Sequence, residues 1–118
     1  NIIPHVKEMG KVLSARLEAF KTAHACVGDV RCIGLFSAIE FVKNKSTKEP
    51  LVPYGRDPKG TMGMIIGLLK ERRFMTYSHE NMILIAPPLI ITEEQLTEEL
   101  EKVEEVLTIV DSRLEELA

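Results

Sequence analysis

Val6, Met9, Leu13, Leu17 and Phe20 recur at spacings of three and four, with Lys7, Glu8, Lys11, Arg16 and Glu18 between them. This period gathers the apolar set on one face and predicts an amphipathic helix. The helix is expected to stop near His24 to Gly28, where Gly28 can take the left-handed conformation that closes a helix. A short strand, Val30 to Ile33, follows. From Leu35 to Val42 the chain reads LFSAIEFV, with Leu35, Ser37, Ile39 and Phe41 facing one way and Phe36, Ala38, Glu40 and Val42 the other. Both sets are mostly apolar, which predicts a strand covered on both sides and central in its sheet. Glu40 is the exception, since a carboxylate there needs a partner or a wet edge.

Residues 44 to 59 turn polar and carry Pro50, Pro53, Gly55 and Pro58. The prolines forbid helix and central strand alike, leaving a long loop that should lie over a neighbouring surface or guard a site. Asp57 and Pro58 fit the N-cap and first position of a helix reaching Arg72, with Met62, Ile65, Ile66 and Leu69 as its apolar set. Gly63 and Gly67 within it suggest that another backbone packs closely there. Phe74 to Tyr77 and Met82 to Ala86, joined by the turn-like Ser78 to Asn81, read as a hairpin that Pro87 and Pro88 end. Thr92 and Gln95 form a capping box before Leu96, Leu100, Val103, Leu107, Val110, Leu114 and Leu117, opposite Glu94, Glu98, Glu101, Glu105 and Asp111. The fold class that results is α+β: a small, largely antiparallel sheet packed with helices, in one domain over 1–118.

With 118 residues, 45% apolar, the chain is of one-domain length and can bury a core. A net charge of −3 with no single-sign tail argues against a nucleic-acid partner. The apolar run from Met82 is broken by prolines and too short to span a bilayer, so no membrane role is expected. Cys26 and Cys32 lack metal-ligand spacing, and their setting favours reduced thiols in a cytoplasmic protein. Neither has a sequence hint of an activating base. His5, His24 and His79 are scattered without a second ligand at the spacing a metal needs. No phosphate-binding loop or nucleophile elbow is present. The residues alone thus describe an α+β domain without a self-contained active site. A non-catalytic interaction module, docking through the acidic last helix or the proline-bearing loop, fits that description too.

Several strings in order carry something more specific: GDVR at Gly28 to Arg31, GLFSAIEFV at Gly34 to Val42, KEPLVPYG at Lys48 to Gly55 and NMILIAPPLIITEEQL at Asn81 to Leu96. With the opening helix VKEMGKVLSARLEAFK, they make the chain resemble the C-terminal small domain of class III pyridoxal-phosphate-dependent aminotransferases, of the omega-amino-acid:pyruvate or taurine:pyruvate type. The resemblance implies a parent enzyme whose large domain holds pyridoxal 5'-phosphate while the small domain closes over substrate. It would move an amino group between an omega-amino acid or amine and a keto acid such as pyruvate. Such chemistry needs a Schiff-base lysine, an acid for the pyridine nitrogen and donors around the phosphate. No lysine here occupies a matching motif. No catalytic, cofactor-binding or metal residue is therefore assigned, and no cofactor is expected on the fragment.

The resemblance also implies where substrate recognition would sit. Acetylornithine-type relatives carry a carboxylate-binding arginine where this chain has Leu84, and omega-amino-acid relatives place a mobile one where Tyr77 stands. Neither position is basic, which disfavours acetylornithine-like use and leaves Tyr77 as the candidate substrate contact, through its hydroxyl. Cys32 and Phe74 stand where relatives usually have glycine, so a positive φ at either would be strained. Arg31 is expected to form a structural ion pair. The implied partners are the large domain and a second subunit, and without them an exposed apolar face should drive self-association.

Overall fold

The computed structural model describes residues 2–117. Helix α1 (Ile2–Ala23) is followed by strands β1 (Val27–Ile33), β2 (Phe36–Asn44) and β3 (Glu49–Pro50), helix α2 (Thr61–Glu71), strands β4 (Ser78–His79) and β5 (Met82–Ile85), helix α3 (Glu93–Ser112) and a short α4 (Leu114–Leu117). The sheet runs β1-β2-β5-β4 with every pairing antiparallel, and β3 adds to the far end of β2. The α+β architecture stands as the sequence predicts, with β2 central between β1 and β5.

The heptad-like apolar positions of α1 and α3 create the core. Leu13, Leu17, Phe20, Leu96, Leu100, Val103, Leu107 and Val110 are all essentially inaccessible, and they meet Ile39, Phe41, Ile83 and Ile85 of the sheet. Alternation places Ser37, Ile39 and Phe41 on that helix-covered face, since a strand reverses side at every residue. The reverse face is not covered as expected: Ile33 and Phe36, paired at the tip of the β1–β2 hairpin, are 84% and 59% exposed. Glu40 lies on that face at intermediate burial, and its carboxylate has water at hand rather than a buried partner.

Gly28 does not close α1. It lies inside β1, where a Cβ would stand 2.3 Å from Cγ1 of Val42, so the position needs an absent side chain rather than a left-handed backbone. Strand β1 accordingly starts three residues earlier than the pattern suggests. Gly10 plays a matching part on α1, where an added Cβ would meet the Gly34 carbonyl at 2.8 Å as the helix crosses the β1–β2 turn. Gly63 and Gly67, by contrast, have no atom within 4 Å of a hypothetical Cβ, so among the described residues no backbone packs against them.

The long loop is anchored rather than draped. Leu51 and Val52 are buried, and the Asn81 side chain clasps Val52 from both sides, accepting from its N–H at 2.7 Å and donating to its carbonyl at 3.0 Å. Asp57 caps α2 from outside the helix, not as the N-cap: its carboxylate accepts from the N–H of Thr61 at 2.8 Å and of Met62 at 3.1 Å, while Gly60 at φ 66° takes the cap position. The reach is possible because Pro58 to Gly60 form a turn that folds the carboxylate back over the first amides.

Three further boundaries shift. Phe74 to Tyr77 is not a strand; only Ser78 and His79 pair, and the turn is Glu80 and Asn81, with Glu80 at φ 54°. The left-handed residue is Arg73, at φ 60°, one before the expected Phe74, and Cys32 lies in regular strand. Arg73 ends α2 in a Schellman motif, its N–H donating to Lys70 and that of Phe74 to Leu69, both at 2.9 Å. The last helix breaks at Arg113, whose φ of −126° leaves the helical region. The Thr61 hydroxyl then fixes Leu117 by donating to its carbonyl at 2.6 Å. At the start of α3 the capping box forms as read, Thr92 and Gln95 each accepting the other's N–H at 3.1 Å.

Candidate functional site

The face of the sheet away from the helices brings together Tyr77 and Leu84, the two positions at which the resemblance would place an arginine. Arg31 pairs with Ala38 and Ala38 with Leu84, and the Leu84 N–H donates to the Tyr77 carbonyl at 3.4 Å, so one row crosses three strands and ends on Tyr77, just before β4. Ser78, Ile83 and Ile39 lie on the covered face, which puts their neighbours Tyr77, Leu84 and Ala38 on the open one. The Tyr77 side chain is 65% exposed and Leu84 half-buried. A second row, Asp29, Glu40, Met82 and His79, runs beside the first and makes that end polar. Arg31 forms the ion pair read for it, Nε to Oδ2 of Asp29 at 3.8 Å, an exposed contact of little energetic weight.

The three histidines do not converge, and among the described residues no cluster can hold a metal ion. His5 faces the Ile91 carbonyl at 2.6 Å, tying the start of α1 to the loop before α3. His79 sits exposed on β4. His24 is different: its ring is 8% exposed, with Nδ1 2.6 Å from Oδ2 of Asp111 and Nε2 3.0 Å from Oε2 of Glu104. Asp111 accepts in addition from the Cys26 N–H at 2.8 Å. Sequence reasoning misses this arrangement, placing Asp111 on a solvated face, because the partners lie 80 and 87 residues apart. The one signal was a lone buried-type polar residue just past an apolar helix. Both cysteines are free thiols. Burial pushes the Cys26 thiol far above its ordinary range, reinforced by its contact with Asp111, and burial also raises Cys32. Neither is an activated nucleophile, since the thiolate is the reactive form.

Among the described residues, cavities open on either side of the sheet's β5–β4 end. The larger, about 730 Å3, opens between the β5–α3 loop and α3, over Phe74, Ile85, Leu96 and Leu100 with Glu98 at its rim. The smaller, about 480 Å3, lies between the anchored loop and α2, beside Arg56, Asp57, Gly63 and Glu80. No lysine lines either. At α2 the amides of Thr61 and Met62, which could otherwise cradle a phosphate, are committed to Asp57, and at α3 the Gln95 amide is committed to Thr92. Neither cavity thus offers a lysine for a Schiff base.

Comparison with known proteins places this geometry. The family model described as Aminotransferase class-III matches residues 1–107. The chain is 30% identical over 122 residues to the taurine–pyruvate aminotransferase of Bilophila wadsworthia, covering 96% of this chain and 25% of that protein. It is 32% identical over 114 residues to ethanolamine-phosphate phospho-lyase homolog 1 of Caenorhabditis elegans, covering 94% of this chain and 23% of that one. Among solved structures, taurine:2-oxoglutarate aminotransferase from Bifidobacterium kashiwanohense, in complex with PLP and glutamate, superposes with a TM-score of 0.91 at 50% identity, over 96% of this chain and 25% of that chain. The chain thus spans about a quarter of the length of the relatives it matches. A family match over most of the sequence, joined to the same fold, leaves one assignment: this chain belongs to the class III aminotransferase family.

Proposed function

We propose that these residues are the substrate-closing small domain of a pyridoxal-phosphate-dependent aminotransferase that moves an amino group from taurine or a related omega-amino acid to a keto acid. The observation that carries the reading is the 50% identity to the taurine:2-oxoglutarate enzyme across nearly the whole chain. It sets 2-oxoglutarate beside pyruvate as an acceptor. The open sheet face is the substrate side in this reading. Tyr77 offers its hydroxyl to the sulfonate or carboxylate of the donor, and Leu84 beside it withholds a second charge. Leu84 thereby favours donors with one acidic head, because an unpaired buried charge would be costly.

The cofactor supplies an electron sink for the amino carbon, and in this proposal it is held by residues outside those described. What this chain contributes is closure, exclusion of water and recognition of the acidic head. A large domain and a second subunit complete the enzyme, in a reducing compartment such as the cytoplasm. The test is transfer by the full-length protein loaded with pyridoxal phosphate. Taurine with pyruvate or 2-oxoglutarate should yield alanine or glutamate, and no transfer from any omega-amino acid would refute the reading. Mixed with pyridoxal phosphate, the 118-residue chain should give only the free cofactor's absorbance; a band from a lysine adduct would overturn the placement of the cofactor.

A further inference from the structure

Tyr77 sits where the β4–β5 ladder stops, and the last rung is half made of side chain. The register that pairs Ser78 with Ile83 and His79 with Met82 would next pair Tyr77 with Leu84, and such a pair exchanges two backbone hydrogen bonds. One of the two is present, from the Leu84 N–H to the Tyr77 carbonyl, at a long 3.4 Å. The Leu84 carbonyl instead accepts from the Thr76 hydroxyl, which also lies 3.4 Å from the Tyr77 carbonyl. Upstream, Met75 is 75% exposed and Phe74 is already anchored to the end of α2. The backbone of Tyr77 is thus held to the sheet by one stretched bond and by its neighbour's side chain.

We propose that Thr76 is a positioning residue for Tyr77, its hydroxyl clasping Leu84 so that the tyrosine stays over the open face. The inference rests on the reading of Tyr77 as the contact to the donor's acidic head, and it concerns a residue that touches no substrate itself. A hydroxyl clasp is weaker than a backbone rung and depends on one atom, so its removal should free Tyr77 without unfolding the sheet.

The test uses the full-length holoenzyme with Thr76→Val, which keeps the shape and removes the hydroxyl, and Thr76→Ser, which keeps the hydroxyl. Taurine and β-alanine serve as acid-headed donors and butylamine as a donor without an acid. Thr76→Val should raise KM for the acid-headed donors about 3- to 10-fold, the range a single lost hydrogen bond gives. Their kcat should stay within about twofold and KM for butylamine should not change, because only recognition of the head is lost. Thr76→Ser should restore the unmodified values. Amide hydrogen exchange across 76–84 should quicken in Thr76→Val and not in Thr76→Ser. Unchanged exchange would show that the clasp does not exist, and quicker exchange with unchanged KM would show that it does not position Tyr77. A KM shift shared by butylamine would equally overturn the proposal. Should the unmodified holoenzyme transfer no amino group, the functional reading falls, and this inference with it.

Discussion

Nδ1 of His24, at the end of α1, lies 2.6 Å from Oδ2 of Asp111 near the end of α3, 87 residues away in sequence. Glu104, two turns earlier on α3, faces the other ring nitrogen, and the edge of Phe20 packs against the imidazole. The Asp111 carboxylate also accepts from the N–H of Cys26, the residue just before β1. One side chain therefore joins the first helix, the first strand and the last helix. Replacing His24 with Ala should destabilise the chain by about 2–3 kcal/mol, because it leaves a partly buried carboxylate without its charged or polar partner. Chemical denaturation measures the loss. In a double-mutant cycle with Asp111→Asn the two losses should be strongly non-additive; simple additivity would show that the pair is not a unit.

Much of this fold is legible in the sequence, and the clamp shows why the remainder is not. The four-three periodicity of α1 and α3, the Thr92–Gln95 box and the apolar run of β2 are local signals; each yields its element, although α3 breaks at Arg113 and one face of β2 stays partly open. His24 and Asp111 carry no local signal, since nothing along the chain says that position 24 will meet position 111. Gly28 is ambiguous for another reason: a glycine required by a left-handed backbone and one required by a neighbour's bulk look alike in sequence, and Val42 decides it. Of the candidate site, the positions of Tyr77 and Leu84 are readable through family resemblance. Their adjacency on an open face and the Thr76 contact emerge only from strand register.

Asn81 → Ala should act on the loop rather than on the sheet. It deletes two buried hydrogen bonds to Val52 at once, about 2–3 kcal/mol at typical cost for partners left unsatisfied. Limited proteolysis should then cut within 44–59, a segment that the clasp on Val52 helps to hold in the native chain. Cleavage elsewhere at unchanged loop resistance would show that other contacts hold it.

Arg73 occupies the C′ position of α2 at φ 60°, a conformation that costs about 1–2 kcal/mol for residues with a Cβ. Arg73→Gly should accordingly raise stability by roughly 1 kcal/mol, less the greater entropy glycine has in the unfolded chain. Thermal melting checks the sign. A lower melting temperature would mean that the arginine side chain contributes more than its backbone costs.

The two thiols should separate cleanly. Both are shifted upward, Cys26 by full burial and its contact with Asp111, Cys32 by partial burial. The folded chain then keeps a proton at Cys26 that the unfolded chain releases above the ordinary thiol range, about pH 8.5. A raised group stabilises below its unfolded value and loses that contribution as pH rises, so stability should fall on the alkaline side. Cys26→Ala should flatten that fall. Under native conditions an alkylating reagent should label Cys32 first and Cys26 only at the rate of opening, as peptide mass spectrometry can read; equal labelling would contradict the burial of Cys26.

The open sheet face supplies the last prediction. Ile33 and Phe36 are cross-strand partners, 84% and 59% exposed, and the Leu84 and Tyr77 row continues the surface. Apolar area of that kind recruits a partner when it is left open. The 118-residue chain alone should therefore self-associate with rising concentration in light scattering. Joint replacement of Ile33 and Phe36 with Lys should return it to a monomer with little change in melting temperature, since neither side chain is buried in the chain alone. In the full-length protein the same pair of substitutions should lower the melting temperature, since the proposed packing of a large domain or second subunit against this end of the face would strip two charges of their water. A penalty equal in both contexts would mean that the substitutions disturb the hairpin itself, and no penalty in either would leave the face without a partner in the enzyme.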